Sequence, residues 1–210
     1  MYVIKAFCHR FKLESWIRKI KEGVYRMYSK VKNTIVWIDG ANGVGKSHVA
    51  AKLAEILADR NAEYVESDLY WEEAMEHFPD VFRLGSYPCN NRYLVAKLRE
   101  ELDEKMKDTR KITFVSMTMA SQICANWLLD YFSSKEIHTF HIILLAKQET
   151  LISRIKNDPI RTEAIQEQQI KNLNWQVTYL QENYPDAVKI DTEDKPLEKI
   201  INEIMLLLRE

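Results

Sequence analysis

The chain has 210 residues, with 30 Lys and Arg against 31 Asp and Glu, and a net charge of −1 at pH 7. Hydrophobic residues make up 46 % and charged residues 29 %, which excludes a disordered chain and collagen-like or low-complexity material. No apolar run approaches the ~18–20 residues of a membrane span, and the length supports one core, so one domain with an appendage is expected. Cys8, Cys89 and Cys124 have no metal-ligand spacing. The expectation is free thiols in a reducing, cytoplasmic compartment.

Charge divides the chain. Residues 1–33 hold nine Lys/Arg and two Glu, a net +7, which leaves −8 for residues 34–210. In the first part Phe7, Phe11, Trp16, Ile17, Ile20 and Val24 recur at helical spacing among basic residues. This predicts a basic amphipathic helical extension, broken or ended near Gly23. It lacks the long apolar stretch of a secretory signal, and Glu14 and Glu22 argue against a transit peptide. Packing on an acidic surface of the body or on a subunit interface competes with contact between residues 1–32 and an anionic lipid or nucleic acid.

Thr34–Ile38 (TIVWI) is β-branched and aromatic and predicts a buried strand. Asp39 follows, and then Gly40, Ala41, Asn42, Gly43, Val44, Gly45, Lys46 and Ser47. This is G-x-x-x-x-G-K-S, the pattern of a phosphate-binding loop. Three of the five glycines in the chain lie here. Lacking Cβ, they let the backbone turn sharply and bring N–H groups against phosphate oxygens. Lys46 is expected to reach the β- and γ-phosphates, and the Ser47 hydroxyl to ligate Mg²⁺. Val49, Ala50, Leu53, Ala54 and Leu57 form an apolar helical stripe, so a helix begins at the loop and aims its positive end at the anion. A bare pattern arises by chance in about one chain in a hundred; strand, loop and helix in this order make it specific for a nucleotide's phosphates, with ATP and Mg²⁺ as the expected ligands and a glycine-rich turn without ligand as the competing reading. His48, at the end of the segment, stands where a small residue or Thr is usual, and a surface or packing role competes with a place at the nucleotide.

Strands and helices then alternate. Strands are expected at Ala62–Ser67, Ile112–Met117, His138–Ala146 and Ala187–Ile190. Helices are expected after Asn90 as cap, over Ala120–Tyr131, Glu149–Lys156, a long stretch from Ile165 to Leu180, and Leu197–Leu208 behind Pro196. Five strands separated by helices predict an α/β fold in three layers, with a parallel sheet covered on both faces. Ligands bind at the carboxyl ends of such strands, where Asp39, Asp68, Thr118, Lys147 and Asp191 are expected. The five histidines show no ligand spacing, and Met117 and Met119 read as core.

With these stretches the chain resembles the small P-loop kinases, the superfamily of nucleoside-monophosphate, shikimate and adenylylsulfate kinases. Within it, IVWIDGANGVGKS (35–47), Ser86–Pro88, FVSMTMASQ (114–122) and FHIILLAKQETLISRI (140–155) resemble the tunicamycin-resistance ATP-binding proteins. Asn91-Arg92-Tyr93 is similar to a segment of thymidylate kinases, but their D-R-Y after the third strand is replaced by Val115–Thr118. The acid that would close that strand is also missing, so that strand supplies no carboxylate for Mg²⁺, and water-mediated contacts from Asp39 or Ser116 are the substitutes.

The resemblance implies a P-loop NTPase fold, a P-loop kinase-like domain at 34–210, and transfer of the ATP γ-phosphate to a small acceptor such as a nucleoside, nucleotide or antibiotic-like molecule. It implies that Arg154 and Arg161 belong to a lid that folds onto the transferring phosphate; solvated helix-end residues are the competing reading. Asp68 is implied as the base or acceptor-orienting residue. Glu66 competes, because a one-residue slip exchanges strand faces, and a helix cap is a further alternative for Asp68. Arg92 and Arg83 are candidates for an acceptor anion, and Tyr70 and Trp71 for an acceptor pocket or the core. The functional alternative is an ATP-binding protein that sequesters a ligand or switches a partner without transfer. A nucleic-acid end kinase using the basic extension is a third. Oligomeric state is left open.

Overall fold

The computed structural model describes residues 33–77, 90–108, 111–135 and 137–208. The extension, Arg83, Cys8 and Cys89 lie outside the described residues; of Trp71 only the backbone is described. Asn33, which the charge division places in the extension, is the first residue of β1 (Asn33–Gly40). Its amide nitrogen donates to Met106 O at 2.6 Å, and its Oδ1 accepts from Lys111 N at 3.0 Å.

The loop is followed by α1 (Lys46–Ile56), β2 (Ala62–Glu66), α2 (Asp68–His77) and α3 (Arg92–Lys105). Next come β3 (Ile112–Ser116) and a helical stretch α4, made of Gln122–Cys124, a π-helical turn Ala125–Asp130, and Tyr131–Ser133. The rest is β4 (Ile137–Leu145), α5 (Gln148–Lys156), α6 (Glu163–Asn183), β5 (Val188–Asp191) and α7 (Leu197–Leu207). Helix α3 starts one residue later than expected. Its cap is Asn91 rather than Asn90, because the Asn91 carboxamide oxygen accepts from Tyr93 N and Leu94 N. Among the described residues no helix is long and apolar enough to cross a membrane.

The five strands are parallel and ordered β2-β3-β1-β4-β5. All eight residues of β1 are buried, because it lies at the centre with helices on both faces. Alternation along the strand divides the core. Val36 and Ile38 pack with Val49, Ala50 and Leu53 of α1 and with Ile200, Ile201 and Ile204 of α7. Ile35 and Trp37 pack with Val95, Leu98 and Leu102 of α3 and with Leu128 and Phe132 of α4. Met117 and Met119 are core, as expected, and Cys124 is a buried thiol outside any disulfide.

This order places the site. From β1 the chain leaves to one side, through α1 to β2, while from β3 it crosses β1 to reach β4. The connections diverge at the carboxyl ends of β1 and β3, where open parallel sheets bind ligands.

Candidate active site

The loop between β1 and α1 has the backbone its glycines predict. Gly40, Gly43 and Gly45 have φ of 145°, 77° and 100°. A Cβ on Gly40 would lie 2.7 Å from Leu144 O, and one on Gly43 would lie 2.9 Å from Leu151 O, so neighbouring main chain closes both positions. Gly45 is different. A Cβ there would meet no atom within 4 Å, and its left-handed φ is what selects glycine. Gly45 also starts α1 without a side-chain cap, and no acid lies in the first turn of that helix. The amides of the turn therefore keep their capacity for an anion.

Behind the loop, polar groups hold it. Asp39 is fully buried. Its Oδ1 accepts from Gly40 N at 2.6 Å and Met119 N at 3.0 Å, and its Oδ2 lies 2.9 Å from His141 Nε2. The His141 ring meets Tyr184 edge-on at 4.7 Å, and the Tyr184 hydroxyl donates to Met119 O at 2.5 Å. Thr118 donates to Gly40 O at 2.9 Å. Asp39 thus joins β1, β4 and the β3–α4 connection and has no oxygen turned to solvent. Arg154 approaches the loop from α5. Its guanidinium lies 3.4 Å from Val44 O and from Thr192 O, which ties the loop to the β5–α7 connection.

In front of the loop, charges converge on Lys46. Its ammonium donates to Ala41 O at 3.2 Å. Burial pushes its pKa below the ordinary lysine value; Asp68, Asp39 and Glu66 pull it back up, and Arg161 pushes it down. One carboxylate from the end of β2, one from the first turn of α2 and one arginine from the α5–α6 connection therefore act on the same side chain. Arg161 also pairs with Asp158 at 3.1 Å.

Strand alternation resolves the question of register. Tyr64 packs in the α1-side core while Val65 belongs to the opposite one, so Glu66 shares the face of α1. Glu66 stands beside Ser116 in the β2–β3 pairing. It accepts from the Ser116 hydroxyl at 2.8 Å and from the Tyr64 hydroxyl, which also lies 2.9 Å from Ser116 Oγ. The Tyr64 pKa is raised by burial and by Glu66, and lowered in part by hydrogen bonds with Ser116 and Ser47. Tyr64 thus brings the Ser47 hydroxyl into one oxygen-rich cluster with Glu66 and Ser116. Asp68, exposed in the first turn of α2, lies beyond this cluster.

The acceptor candidates spread more widely. Arg92 is exposed at the start of α3, 5.8 Å from the centre of the Trp127 ring in the π-helical turn. Tyr70 packs against the second core, with its pKa pushed up to about 12 by burial and then by Glu101. His48 is exposed on α1. Sequence reasoning missed Gln176 of α6, which is fully buried and whose Oε1 accepts from Asn42 N at 3.0 Å. The available signal was an amide on the apolar stripe of Leu173, Val177 and Leu180. It also missed Tyr64, whose i, i+2 spacing to Glu66 was the clue, and the Asp39–His141 pair.

No protein-family model matches the sequence, and comparison with curated proteins finds no match. Solved structures do match. The tunicamycin resistance protein of Deinococcus radiodurans superposes with a TM-score of 0.63 at 16 % identity, over 84 % of this chain and 95 % of that one. The chain has the fold of the small P-loop kinases. A shikimate kinase from Bacteroides thetaiotaomicron has a TM-score of 0.58 at 13 % identity, covering 84 % and 99 % of the two chains. A gluconokinase from Sinorhizobium meliloti has 0.57 at 18 %, covering 84 % and 91 %.

Proposed function

We propose that the chain is an ATP-dependent phosphotransferase that moves the γ-phosphate onto a hydroxyl of a small acceptor. The observation that carries this reading is the convergence on Lys46. A loop with three positive-φ glycines runs into the uncapped start of α1, and the Lys46 ammonium held there on Ala41 O is acted on by the charges of Asp68, Glu66 and Arg161. In this reading the loop residues 40–48 and the start of α1 bind the triphosphate, and Lys46 offsets charge on its outer phosphates. Arg161 meets the transferring phosphoryl group as a guanidinium fork, and Arg154 borders the nucleotide where the loop meets Thr192.

The residues present fit Mg²⁺. Ser47, Glu66 and Ser116 supply hard oxygen donors. Among the described residues no group of three His, Cys, Asp or Glu can hold a metal alone, so the ion would be shared with phosphate oxygens. Bound there, it would neutralise charge on the β- and γ-phosphates. The absence of a third-strand acid is then met by Glu66, from the neighbouring strand.

Asp68 serves the acceptor. The hydroxyl oxygen bonds to the γ-phosphorus, the bond from that phosphorus to the β–γ bridging oxygen breaks, and ADP leaves. The hydroxyl proton passes to the Asp68 carboxylate. The gluconokinase and shikimate kinase among the structural neighbours, named for small hydroxylated acceptors, support this class. Arg92, and Arg83 outside the described residues, are the proposed contacts for an anionic acceptor group. Residues 1–32 are proposed as a separate basic extension for an anionic surface.

The test is product. Wild type and Lys46→Ala are incubated with ATP, Mg²⁺ and a panel of sugars, nucleosides, nucleotides and hydroxylated antibiotics. ADP release with an acceptor mass gain of one phosphoryl group, lost in Lys46→Ala, is expected. Tight acceptor binding without transfer assigns the sequestering alternative, and failure of wild type to bind ATP at millimolar concentration removes both.

A further inference from the structure

Helix α6 has 21 residues, a length of about 32 Å, and touches the site at three heights. Near its start, Gln166 Nε2 donates to the carbonyls of Asp158 at 3.0 Å and Arg161 at 3.3 Å. In its middle, Gln176 Oε1 accepts from Asn42 N at 3.0 Å. Just past its end lies Tyr184, bonded to Met119 O.

The middle contact is the unusual one. Gln176 lies among the apolar residues that face the core, with Leu173 and Leu180 on the same stripe. Its relative exposure is 0 %. An amide so placed is costly unless its polar atoms are bonded. Its partner is one half of the peptide plane that joins Ala41 to Asn42. The other half, Ala41 O, accepts from Lys46 Nζ at 3.2 Å and from Val44 N at 3.3 Å. Because the peptide unit is planar and trans, its N–H and C=O point in opposite directions. Whatever fixes the N–H also fixes the carbonyl. A rotation of this plane would take the carbonyl off the ammonium and unmake the Val44 turn.

We propose that Gln176 is a positioning residue for Lys46, acting through the Ala41–Asn42 peptide. Helix α6 then sets the aim of the loop ammonium and the position of Arg161 from one rigid body, so both charges reach the phosphates in register. The inference rests on the nucleotide-binding reading above.

The experiment measures MgATP affinity of the folded protein by calorimetry. Gln176→Met keeps the side chain's length and removes the acceptor; Asn42→Pro removes the donor. Each is expected to raise the Kd for MgATP roughly three- to tenfold, the cost of one hydrogen bond. The double variant is expected to be no weaker than the worse single one, since both break the same contact. Leu180→Val, a core change away from the loop, is the control: it lowers the melting temperature without moving Kd. Unchanged affinity in Gln176→Met, or additive losses in the double variant, overturns the proposal. If Gln176→Met does not fold, Asn42→Pro decides alone, and an unchanged Kd there overturns it. Wild type that fails to bind MgATP overturns this inference together with the reading beneath it; wild type that binds while the variants match it overturns this inference only.

Discussion

The loop side of the cleft and the proposed acceptor side satisfy their polar groups in different ways. On the loop side, Asp39 is fully buried and bonded through both oxygens, Gln176 is fully buried and bonded to Asn42, and Thr118 holds Gly40 O. On the acceptor side, Asp68 and Arg92 are exposed at the first turns of α2 and α3. A buried polar group must find its partners inside the fold, so the loop side is preorganised. Exposed side chains at helix starts carry little of the packing, so the proposed acceptor side can change chemistry without changing the fold.

Substitutions can break or sharpen this contrast. The largest effect is expected at Lys46, where Lys46→Ala lowers turnover by roughly 10²–10³-fold, read as kcat/KM. The same site should reveal the cost of its own charge. Burial leaves the folded protein holding the Lys46 proton less tightly than the unfolded chain does, so the charge opposes folding below the depressed pKa. Lys46→Met is therefore expected to raise the melting temperature at neutral pH while weakening MgATP binding. That advantage should shrink as the pH rises through the depressed pKa towards 10.5, because the wild-type lysine then folds uncharged. A melting temperature that falls in Lys46→Met would show the ammonium to be a structural group.

On the acceptor side, Asp68→Asn should lower kcat by about 10²-fold with the Kd for MgATP unchanged. Glu66→Gln should instead raise the Mg²⁺ concentration needed for half-maximal activity. If the two variants exchange these phenotypes, the roles assigned from strand register are reversed.

Stability separates the sides next. Gly40→Ala forces a Cβ against Leu144 O in a left-handed backbone, and should cost about 2–3 kcal/mol in denaturant unfolding. Arg92→Ala, which loses an exposed contact with Trp127, should stay within about 0.5 kcal/mol. A smaller effect is expected between the two arginines of the α5–α6 region. Arg161→Ala should reduce kcat about tenfold, whereas Arg154→Ala should mainly raise the Kd for MgATP by a similar factor or less. Equal effects of both on both constants would deny them separate places.

Much of this was readable beforehand because local chemistry carried it. TIVWI, the three loop glycines and the stripe after Ser47 place β1, the loop and α1 almost to the residue. The other four strands were expected within one or two residues of where they lie. The choice between Glu66 and Asp68 was not readable. Both lie within two residues of the end of β2, and only the pairing of Glu66 with Ser116 and the packing of Tyr64 place Glu66 on the α1 face, while Asp68 opens α2. The resemblance implied a lid role for Arg154, and its reach to Val44 O and to Thr192, 38 positions along the chain from it, was not readable from the sequence. Asn91 in place of Asn90 as cap is a matter of backbone angle, which adjacent identical residues do not reveal.

The amino-acid sequence alone determined the alternation of strand and helix, the glycine loop and its lysine, because periodicity and missing Cβ atoms act over a few neighbouring residues. Tertiary structure decided the strand order, the closure of Asp39 with His141, and the bond from Gln176 to Asn42, 134 positions away. Those pairings join residues far apart in the chain, and their free energy exists only once the helices have packed onto the sheet and excluded water from the groups they bring together.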